Sequence, residues 1–343
     1  MALRLGIVGC GDISGYTAWF ARLNRGIRMT ACCDLDPQVA EKFARKFAIP
    51  TYYTDYGAML AQASLDAVYL AVPHDLHRPM TETAIEAGLT VFLEKPLAAT
   101  LEEGRALADF VERQDGRVAV NYQYRYDAAC YGLVQAARSG ALGRLLYARI
   151  NVPWHRRTDY FRRSRAWHSS LARCGGGTLL TQGSHFLDVA LWAAGSPAVS
   201  ALGHIAQRRF QEVEVEDLAF GIVELADGAL IEISSSMSAA TEQPATIELY
   251  GERATARYRD GLIPRLSFHG ASVRPPRPPM RGLHALQRSL EAFRQFAVKG
   301  KAVLCPVPEA LQTLAVVDAV YRAADRGQRV PINAQNRQVH PGR

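Results

Sequence analysis

The sequence predicts an α/β protein of two domains, in which a doubly wound parallel sheet precedes an α+β domain with a mostly antiparallel sheet. Short apolar strands alternate with helical segments up to residue 122, and this alternation is typical of a parallel sheet covered by helices. Beyond it, strands follow one another with turns such as Asp227-Gly228 between them, which favours antiparallel pairing. We therefore expect domains over residues 1–122 and 123–333 and a tail over 334–343.

The overall composition is that of a globular protein. The chain has 343 residues, of which 48% are hydrophobic and 21% are charged, and its net charge is +7. The positive charge indicates either a solvated basic surface or an attraction for small anions such as dinucleotides and sugar phosphates. The basic residues are dispersed and form no nucleic-acid-binding signature, so we expect no nucleic-acid partner. No apolar run is long enough for a membrane span or a signal peptide.

The six cysteines are scattered and lack the C-x-x-C spacing of a zinc site. Free thiols in a reducing compartment fit this pattern, so we expect a cytoplasmic protein. His74 and His77 could share a metal ion, but no third ligand lies near them in the sequence. We therefore expect no metal centre.

A glycine-rich turn joins the first strand to the first helix. Leu5-Gly6-Ile7-Val8 runs into Gly9-Cys10-Gly11-Asp12-Ile13-Ser14, a G-x-G-x-x-S sequence with Ser14 at the usual third glycine. The glycines allow a tight turn and a close approach of the backbone to a pyrophosphate. The helix amino end, with Asp12 and Ile13 in its first turn, offers N–H groups and the positive end of its dipole. Strand, turn and helix together predict a Rossmann-type dinucleotide-binding domain.

Asp34 ends the second strand and follows Ser14 by 20 residues. This is the spacing expected for the acid that binds the adenosine ribose of a dinucleotide. Its carboxylate would accept hydrogen bonds from both ribose hydroxyls and repel a 2′-phosphate, so we expect NAD rather than NADP. The alternative is an N-cap for the helix that begins near Pro37.

The stretch Thr90–Leu97 is predicted to be a buried strand that ends in the charged pair Glu94-Lys95 and stops at Pro96. Pro96 cannot continue the strand and biases Lys95 toward an extended backbone. Lys95 is therefore expected at the carboxyl end of the strand, where ligands bind in open parallel sheets. Pro73 and His77 follow the preceding strand and are expected at the same edge. The alternative for Lys95 is an ordinary loop lysine.

The segment between Val152 and Trp192 holds the candidate substrate contacts. Its arginines and aromatic rings suit sugars, carboxylates and phosphates, and we select Arg156, Arg157, Tyr160 and Trp167. The run Gly175-Gly176-Gly177 would let the backbone approach a ligand. On a helix predicted over Thr178–Trp192, three residues share a face with Trp192: Thr181, His185 and Asp188. A histidine on such a face belongs either to the core or to a site.

In this order, the motifs resemble the Gfo/Idh/MocA oxidoreductases, which are named for glucose–fructose oxidoreductase and inositol dehydrogenase. The resemblance rests on Gly9-x-Gly11-x-x-Ser14, Asp34, Val72-Pro73-x-x-x-His77, Glu94-Lys95-Pro96 and Gly175-Gly176-Gly177…Gly183-x-His185-x-x-Asp188. It implies a large, open sheet in the second domain. It also implies hydride transfer between a nicotinamide and a hydroxyl of a sugar, cyclitol or nucleotide sugar. By position, Lys95 resembles the catalytic lysine of the family and His185 its active-site histidine.

The chain departs from the family pattern at Thr181, where many members carry an aspartate. We therefore expect neutral His185 to take the substrate's hydroxyl proton near neutral pH, while Lys95 either stabilises the developing negative charge on oxygen as an ammonium or relays the proton. Glu94 is expected to hold that ammonium. Asp188 is expected either to orient the imidazole or only to pack the helix.

The arginine-rich segment favours an anionic substrate, and a UDP-N-acetylglucosamine-type sugar oxidised at its 3-hydroxyl is the specific hypothesis. A free sugar or inositol is the alternative. Two other functions stay open, namely a non-catalytic NAD-sensing regulator and an enzyme that returns the hydride within one cycle. We expect a homodimer or homotetramer that assembles through the second sheet.

Overall fold

The computed structural model describes residues 2–332 with the exception of Ala271, Ser272, Arg277 and Arg281. The predicted tail over 334–343 therefore lies outside the described residues. Two sheets organise the remainder of the chain, one of six strands and one of eight.

The first sheet is parallel throughout and has the strand order β3-β2-β1-β4-β5-β6. Its strands are β1 (Leu3–Val8), β2 (Ile27–Cys33), β3 (Thr51–Tyr53), β4 (Ala67–Leu70), β5 (Thr90–Glu94) and β6 (Val118–Asn121). Its helices are α1 (Asp12–Leu23), α2 (Pro37–Phe47), α3 (Tyr56–Gln62), α4 (His77–Glu86) and α5 (Leu101–Arg113). The strand order reverses between β1 and β4, which opens a crevice at their carboxyl ends. The predicted Rossmann fold is confirmed.

Local sequence explains where these elements begin and end. Every residue of β4 and β5 is buried, as expected of strands covered on both faces. The side chains of Asp36, Asp55 and Thr100 accept backbone hydrogen bonds at the amino ends of α2, α3 and α5, which satisfies N–H groups that a helix leaves unpaired.

The second sheet has the order β13-β12-β11-β7-β10-β9-β8-β14. Its strands are β7 (Leu145–Pro153), β8 (Ala198–Ala206), β9 (Leu218–Leu225), β10 (Leu230–Ser236), β11 (Thr246–Gly251), β12 (Thr255–Arg259), β13 (Arg265–His269) and β14 (Val330–Pro331). Among the strands in the described residues, only β7 and β10 pair in parallel, so the prediction of a mostly antiparallel sheet is confirmed. The strands β8, β13 and β14 were not predicted. In β8 the apolar pattern is interrupted by Gly203. A glycine is needed there because a side chain would collide with the Val320 backbone.

The helices of the second domain are α6 (Ala128–Arg138), α7 (Leu171–Cys174), α8 (Ser184–Ala194), α9 (Ala285–Lys299) and α10 (Val307–Arg326). Helix α9 returns to the first domain, where the ring of Phe293 stacks on Phe92 of β5 at 4.6 Å between ring centroids. No helix in the described ranges is long and apolar enough to cross a membrane. All six cysteines are free and buried. The cytoplasmic location stays a prediction.

One face of the second sheet packs on helices and the other is open. On the open face Leu202, Phe220 and Ile222 are 36%, 47% and 47% exposed and lie on the adjacent strands β8 and β9. Beside them, Arg149 and Glu232 form an exposed ion pair across β7 and β10.

Candidate active site

The glycine turn after β1 has one packed side and one open side. Gly9 has a φ of 80°, and a side chain there would collide with the Ala71 carbonyl oxygen next to β4. At Gly11, by contrast, a Cβ would meet no described atom within 4 Å. Ser14 is buried beneath the turn and donates its hydroxyl hydrogen bond to the Gly9 carbonyl. The turn thus leaves open space at the amino end of α1, as a pyrophosphate site requires.

Asp34 stands beside this turn. One carboxylate oxygen accepts the N–H of Cys10 at 2.8 Å, and the other accepts the N–H of Asp36 at 3.1 Å. The amino end of α2 is capped by Asp36 instead, so the alternative role of Asp34 as that cap is wrong. An anchored carboxylate at the end of β2 fits a ribose diol, and the open turn fits a pyrophosphate. The residues present therefore fit a bound dinucleotide.

Glu94 is buried at the end of β5. Its carboxylate accepts hydrogen bonds from the Tyr69 hydroxyl and the Asn121 side-chain amide, both at 2.6 Å. Burial raises the pKa of Glu94. No ion pair between Glu94 and the Lys95 ammonium is found within the described ranges, although the negative charge of Glu94 favours that ammonium and raises the pKa of Lys95 against the effect of burial. The role of Glu94 in holding the ammonium stays a prediction. Glu94 also joins β4, β5 and β6 beneath the site.

Lys95 reaches across to the second domain. Its Nζ donates a hydrogen bond to the backbone carbonyl of Thr181 at 2.8 Å. Burial, together with the positive charge of Arg156, lowers the pKa of Lys95 from 10.5 to about 8. An amine with this pKa can gain or lose a proton near physiological pH.

The helix predicted over Thr178–Trp192 begins with a π-helical turn over Leu179–Gly183, a feature frequently found at functional sites. The Thr181 hydroxyl donates to the Gly177 carbonyl at 2.7 Å. Its side chain therefore bonds to its own helix, and it is the Thr181 carbonyl that contacts Lys95.

His185 lies in the same helix and is 5% exposed. The rings of Tyr122 and Tyr124 pack against the imidazole, with centroid distances of 6.1 and 5.3 Å. Its Nδ1 is buried and has no hydrogen-bond partner among the described residues. Burial and the charge of Lys95 lower the pKa of His185 well below 6.5. The imidazole is therefore neutral near pH 7 and is a weaker base than the sequence led us to expect.

Asp188 does not reach the imidazole. It is fully buried and accepts two hydrogen bonds from the Arg125 guanidinium, at 2.7 and 2.8 Å, and one from the Thr313 hydroxyl at 3.1 Å. Both carboxylate oxygens are therefore engaged by Arg125 and by Thr313 of α10. These contacts are those of a helix-packing acid, and they do not support the alternative in which Asp188 orients the imidazole of His185.

The loop from Pro73 to His77 is built into the fold. The ring of His77 is fully buried, with Nδ1 2.7 Å from the Pro96 carbonyl and Nε2 3.1 Å from the Val72 carbonyl. His77 thus ties the loop after β4 to the loop after β5 and presents no free nitrogen to a cofactor. The described residues contain no cluster of potential metal ligands.

Arg156 faces the site from the segment after β7. Its guanidinium lies 5.2 Å from the Trp154 ring centroid and 5.5 Å from that of Tyr160. A carboxylate oxygen of Glu242 is 3.6 Å away. Because its charge lowers the pKa of Lys95, Arg156 is the predicted arginine that lies near the reactive amine.

The other residues selected in this segment differ in position. Trp167 is half-buried, stacks on His168 and packs edge-on against His74, with centroid distances of 3.7 and 4.8 Å. Burial raises the pKa of Tyr160 to about 12, so its phenol stays protonated. Arg157 is exposed, and no ion pair to its side chain is found in the described part of the chain. Arg157 is not brought to the site.

The glycine run before the helix does not face open space. Added side chains would collide with the Ala99 backbone at Gly175, with the Tyr321 hydroxyl at Gly176 and with the Glu216 backbone at Gly177. The expectation that this run lets a ligand approach the backbone is wrong. The glycines are required by close packing within the protein.

Sequence reasoning missed Gln182. Its side chain is buried, its oxygen accepts from the Thr178 hydroxyl at 3.2 Å, and its nitrogen has no partner among the described residues. Its side chain acts on the Tyr160 phenol and favours the ionised form of that group, so it belongs to the same cluster as the predicted substrate contact Tyr160. Nothing in the helical spacing distinguished it from an ordinary polar residue.

Two family comparisons agree with this geometry. Residues 3–122 match a family described as an oxidoreductase family with an NAD-binding Rossmann fold. Residues 133–257 match the GFO/IDH/MocA C-terminal domain.

Individual relatives match over nearly the whole chain. The chain is 26% identical to D-glucoside 3-dehydrogenase of Escherichia coli (strain K12), over 96% of this chain and 97% of that protein. It is 27% identical to D-apiose dehydrogenase of Paraburkholderia graminis, over 96% and 89%. The WlbA dehydrogenase from Bordetella pertussis, solved with NADH and UDP-GlcNAcA, is 26% identical, with a TM-score of 0.83 over 97% of this chain and 99% of that chain.

Proposed function

Because the chain belongs to the Gfo/Idh/MocA family of oxidoreductases, we propose that it is an NAD-dependent dehydrogenase that oxidises a ring hydroxyl of a sugar or nucleotide sugar. One observation carries the proposal. The Lys95 amine is held at 2.8 Å by the Thr181 carbonyl, at the carboxyl edge of the dinucleotide-binding sheet, and its charge reaches the neutral imidazole of His185.

The chain's own residues divide the work as follows. The turn at Gly9 and Gly11 and the amino end of α1 hold the pyrophosphate, and Asp34 binds the adenosine ribose. Bound NAD⁺ supplies the hydride acceptor. Lys95 in its free-amine form takes the hydroxyl proton, and its ammonium form returns a proton in the reverse direction. Neutral His185 orients the hydroxyl. This division moves the base role from His185, where the sequence placed it, to Lys95.

We propose an anionic sugar, such as a UDP-linked amino sugar, as the substrate class. Arg156 supports this, because its guanidinium lies within 5.5 Å of two aromatic ring centroids and its charge acts on the reactive amine. A guanidinium recognises phosphate or carboxylate. The relative solved with UDP-GlcNAcA is consistent with it. A neutral glycoside oxidised at its 3-hydroxyl is the second candidate, supported by the similarity to D-glucoside 3-dehydrogenase.

The test measures NADH formation from UDP-N-acetylglucosamine, UDP-glucuronate derivatives, methyl glucoside, glucose and inositol. Turnover of the UDP sugars alone would support the anionic class, and turnover of methyl glucoside or inositol alone would overturn it. Tight NAD⁺ binding without turnover of any compound would favour a sensor or an enzyme that retains the hydride.

Arg156→Gln is expected to raise KM for an anionic substrate by about 10- to 100-fold, because a charge-assisted contact is lost, with a smaller change in kcat. Arg157→Gln is the matched control, since Arg157 is exposed, and we expect its KM to stay within about twofold of wild type. Equal effects of both substitutions would contradict a specific role for Arg156.

Asp34→Ser is expected to weaken NAD⁺ binding by about 10- to 100-fold and to bring the Kd for NADP⁺ close to that for NAD⁺. The substitution removes a charged acceptor for the ribose diol and the repulsion of a 2′-phosphate. Calorimetry with both dinucleotides measures this. Asp36→Ser is the control, because Asp36 caps α2 and serine also caps helices. Wild-type preference for NADP⁺ would refute the assignment.

We also propose that the open face of the second sheet joins copies of the chain. Its exposed apolar side chains Leu202, Phe220 and Ile222 form a patch of the kind found at protein interfaces. Sedimentation of wild type and Ile222→Lys tests this, and a wild-type monomer at micromolar concentration would overturn it.

A further inference from the structure

The helix that carries Thr181 and His185 begins in an unusual way. The first backbone hydrogen bond of this helical segment runs from the Thr181 N–H to the Gly177 carbonyl at 2.9 Å. The first four N–H groups of a helix have no partner within the helix. Here these groups belong to residues 177–180, and all four are satisfied by two residues that are distant in sequence.

Glu216 satisfies three of them. Its carboxylate accepts the N–H groups of Gly177 at 2.7 Å and Leu179 at 2.9 Å. Its backbone carbonyl accepts the N–H of Thr178 at 3.0 Å. Glu216 is 6% exposed, so water contributes little to these contacts. Burial raises the pKa of Glu216 to about 7, although the N–H groups of Leu179 and Gly177 favour the carboxylate.

Tyr321 of α10 satisfies the fourth. Its hydroxyl oxygen accepts the N–H of Leu180 at 3.2 Å, and the same hydroxyl donates to the Glu216 carboxylate at 2.9 Å. The glycine run makes room for both residues, because side chains at Gly176 and Gly177 would collide with Tyr321 and Glu216. The glycine run, Glu216 and Tyr321 therefore form one structural unit.

We propose that Glu216 and Tyr321 are positioning residues of the hydride-transfer reaction. They fix the first turn of the helix, and with it the Thr181 carbonyl that holds the Lys95 amine and the imidazole of His185. This inference rests on the proposed function. Two hydrogen bonds connect Glu216 to Thr181. The Thr181 N–H donates to the Gly177 carbonyl, and the Gly177 N–H donates to the Glu216 carboxylate.

Glu216→Gln is the sharpest test, because it keeps the shape and replaces one acceptor oxygen by an NH2 group. One N–H of Gly177 or Leu179 then loses its partner. We expect kcat to fall by about 10- to 100-fold, because small displacements of catalytic groups slow the reaction by about that factor. KM and the Kd for NAD⁺ are expected to stay within about threefold of wild type. Amide hydrogen exchange over residues 177–180 is expected to accelerate by about tenfold or more.

Two further readouts separate positioning from general stability. The pH inflection set by Lys95 is expected to move to lower pH by about half a unit in Glu216→Gln, because a less well held Thr181 carbonyl stabilises the ammonium less. Tyr321→Phe is expected to accelerate exchange at Leu180 with a smaller loss of kcat. Glu214→Gln is the matched control. Glu214 is exposed and accepts the N–H of Leu171 at the start of α7, so exchange at 177–180, kcat and the inflection should stay as in wild type.

Wild-type exchange at residues 177–180 and wild-type kcat in Glu216→Gln would overturn the proposal. A second outcome would also overturn it. In that outcome Glu216→Gln changes KM and lowers the free energy of unfolding, while the pH inflection of Lys95 stays as in wild type. If no compound supports turnover, the proposed dehydrogenase function fails by itself, and the exchange measurement still decides whether Glu216 and Tyr321 fix the helix start.

Discussion

Lys95→Met is expected to lower kcat for hydride transfer by about 10³-fold or more while the Kd for NAD⁺ stays within about fivefold of wild type. The substitution keeps an unbranched side chain of similar length but removes the group that exchanges the hydroxyl proton, and a positioned acid–base group contributes about 10²- to 10⁴-fold. It also leaves the Thr181 carbonyl without its hydrogen bond from Lys95. Stopped-flow measurement of NADH formation, with calorimetry for NAD⁺, tests this expectation.

Lys301→Met is the matched control, because Lys301 is exposed on a loop, and it should behave as wild type. A Lys95→Met variant that retained more than about a tenth of wild-type kcat would contradict the assignment of Lys95 as the acid–base group. A variant that lost NAD⁺ binding together with turnover would instead make Lys95 a cofactor contact.

The pH dependence of the rate follows from the same group. Because burial and Arg156 lower the pKa of Lys95 to about 8, the free amine becomes the dominant form above that pH. In the oxidation direction kcat/KM is expected to rise with pH and to level off above about 8. In the reduction direction the ammonium donates the proton, so the rate is expected to fall as pH rises through about 8. His185→Gln should keep this inflection, whereas an inflection near pH 6.5 that disappears in His185→Gln would return the base role to His185.

The first domain could be predicted closely because its chemistry is local in the sequence. Its predicted site residues follow directly after buried strands. They lie in the glycine turn after β1, at the end of β2 and at the end of β5. Parallel strands bring their carboxyl ends to one edge. The position of Lys95 therefore followed from Pro96 and the strand before it. Even here the hydrogen bonds of Glu94 were not predicted, because its partners Tyr69 and Asn121 lie 25 and 27 residues away.

The second domain could be predicted less well because its contacts are distant in sequence. Thr181, His185 and Asp188 share a helix face by spacing, but the π-helical turn at Leu179–Gly183 alters the backbone there. Spacing also says nothing about what each residue faces. The contact between the Thr181 carbonyl and Lys95, 86 residues apart, carries no side-chain signal at Thr181. A glycine run likewise looks the same whether a ligand or Glu216 lies against it.

The buried ion pair of Arg125 and Asp188 yields the largest expected effect on stability. Both side chains are at most 2% exposed, the guanidinium also lies 5.1 Å from the Trp192 ring centroid, and the carboxylate receives the Thr313 hydroxyl. Removing one partner of such a pair leaves an uncompensated buried charge, which costs about 3–5 kcal/mol. Arg125→Met is therefore expected to lower the free energy of unfolding by about that amount in urea denaturation followed by tryptophan fluorescence.

The matched control is the exposed pair of Arg149 and Glu232, whose side chains are 53% and 52% exposed. Arg149→Met should change the free energy of unfolding by less than about 1 kcal/mol, because solvent screens such a pair. Adding Asp188→Leu to Arg125→Met is expected to recover part of the loss, since the double variant leaves no fully buried charge unpaired. Glu309, the other ion-pair partner of Arg125, is 40% exposed. Equal costs for Arg125→Met and Arg149→Met would contradict the expectation that Arg125→Met leaves an uncompensated buried charge at Asp188. A double variant that is less stable than Arg125→Met would instead show that the Thr313 hydrogen bond, and not the charge balance, holds this part of the core together.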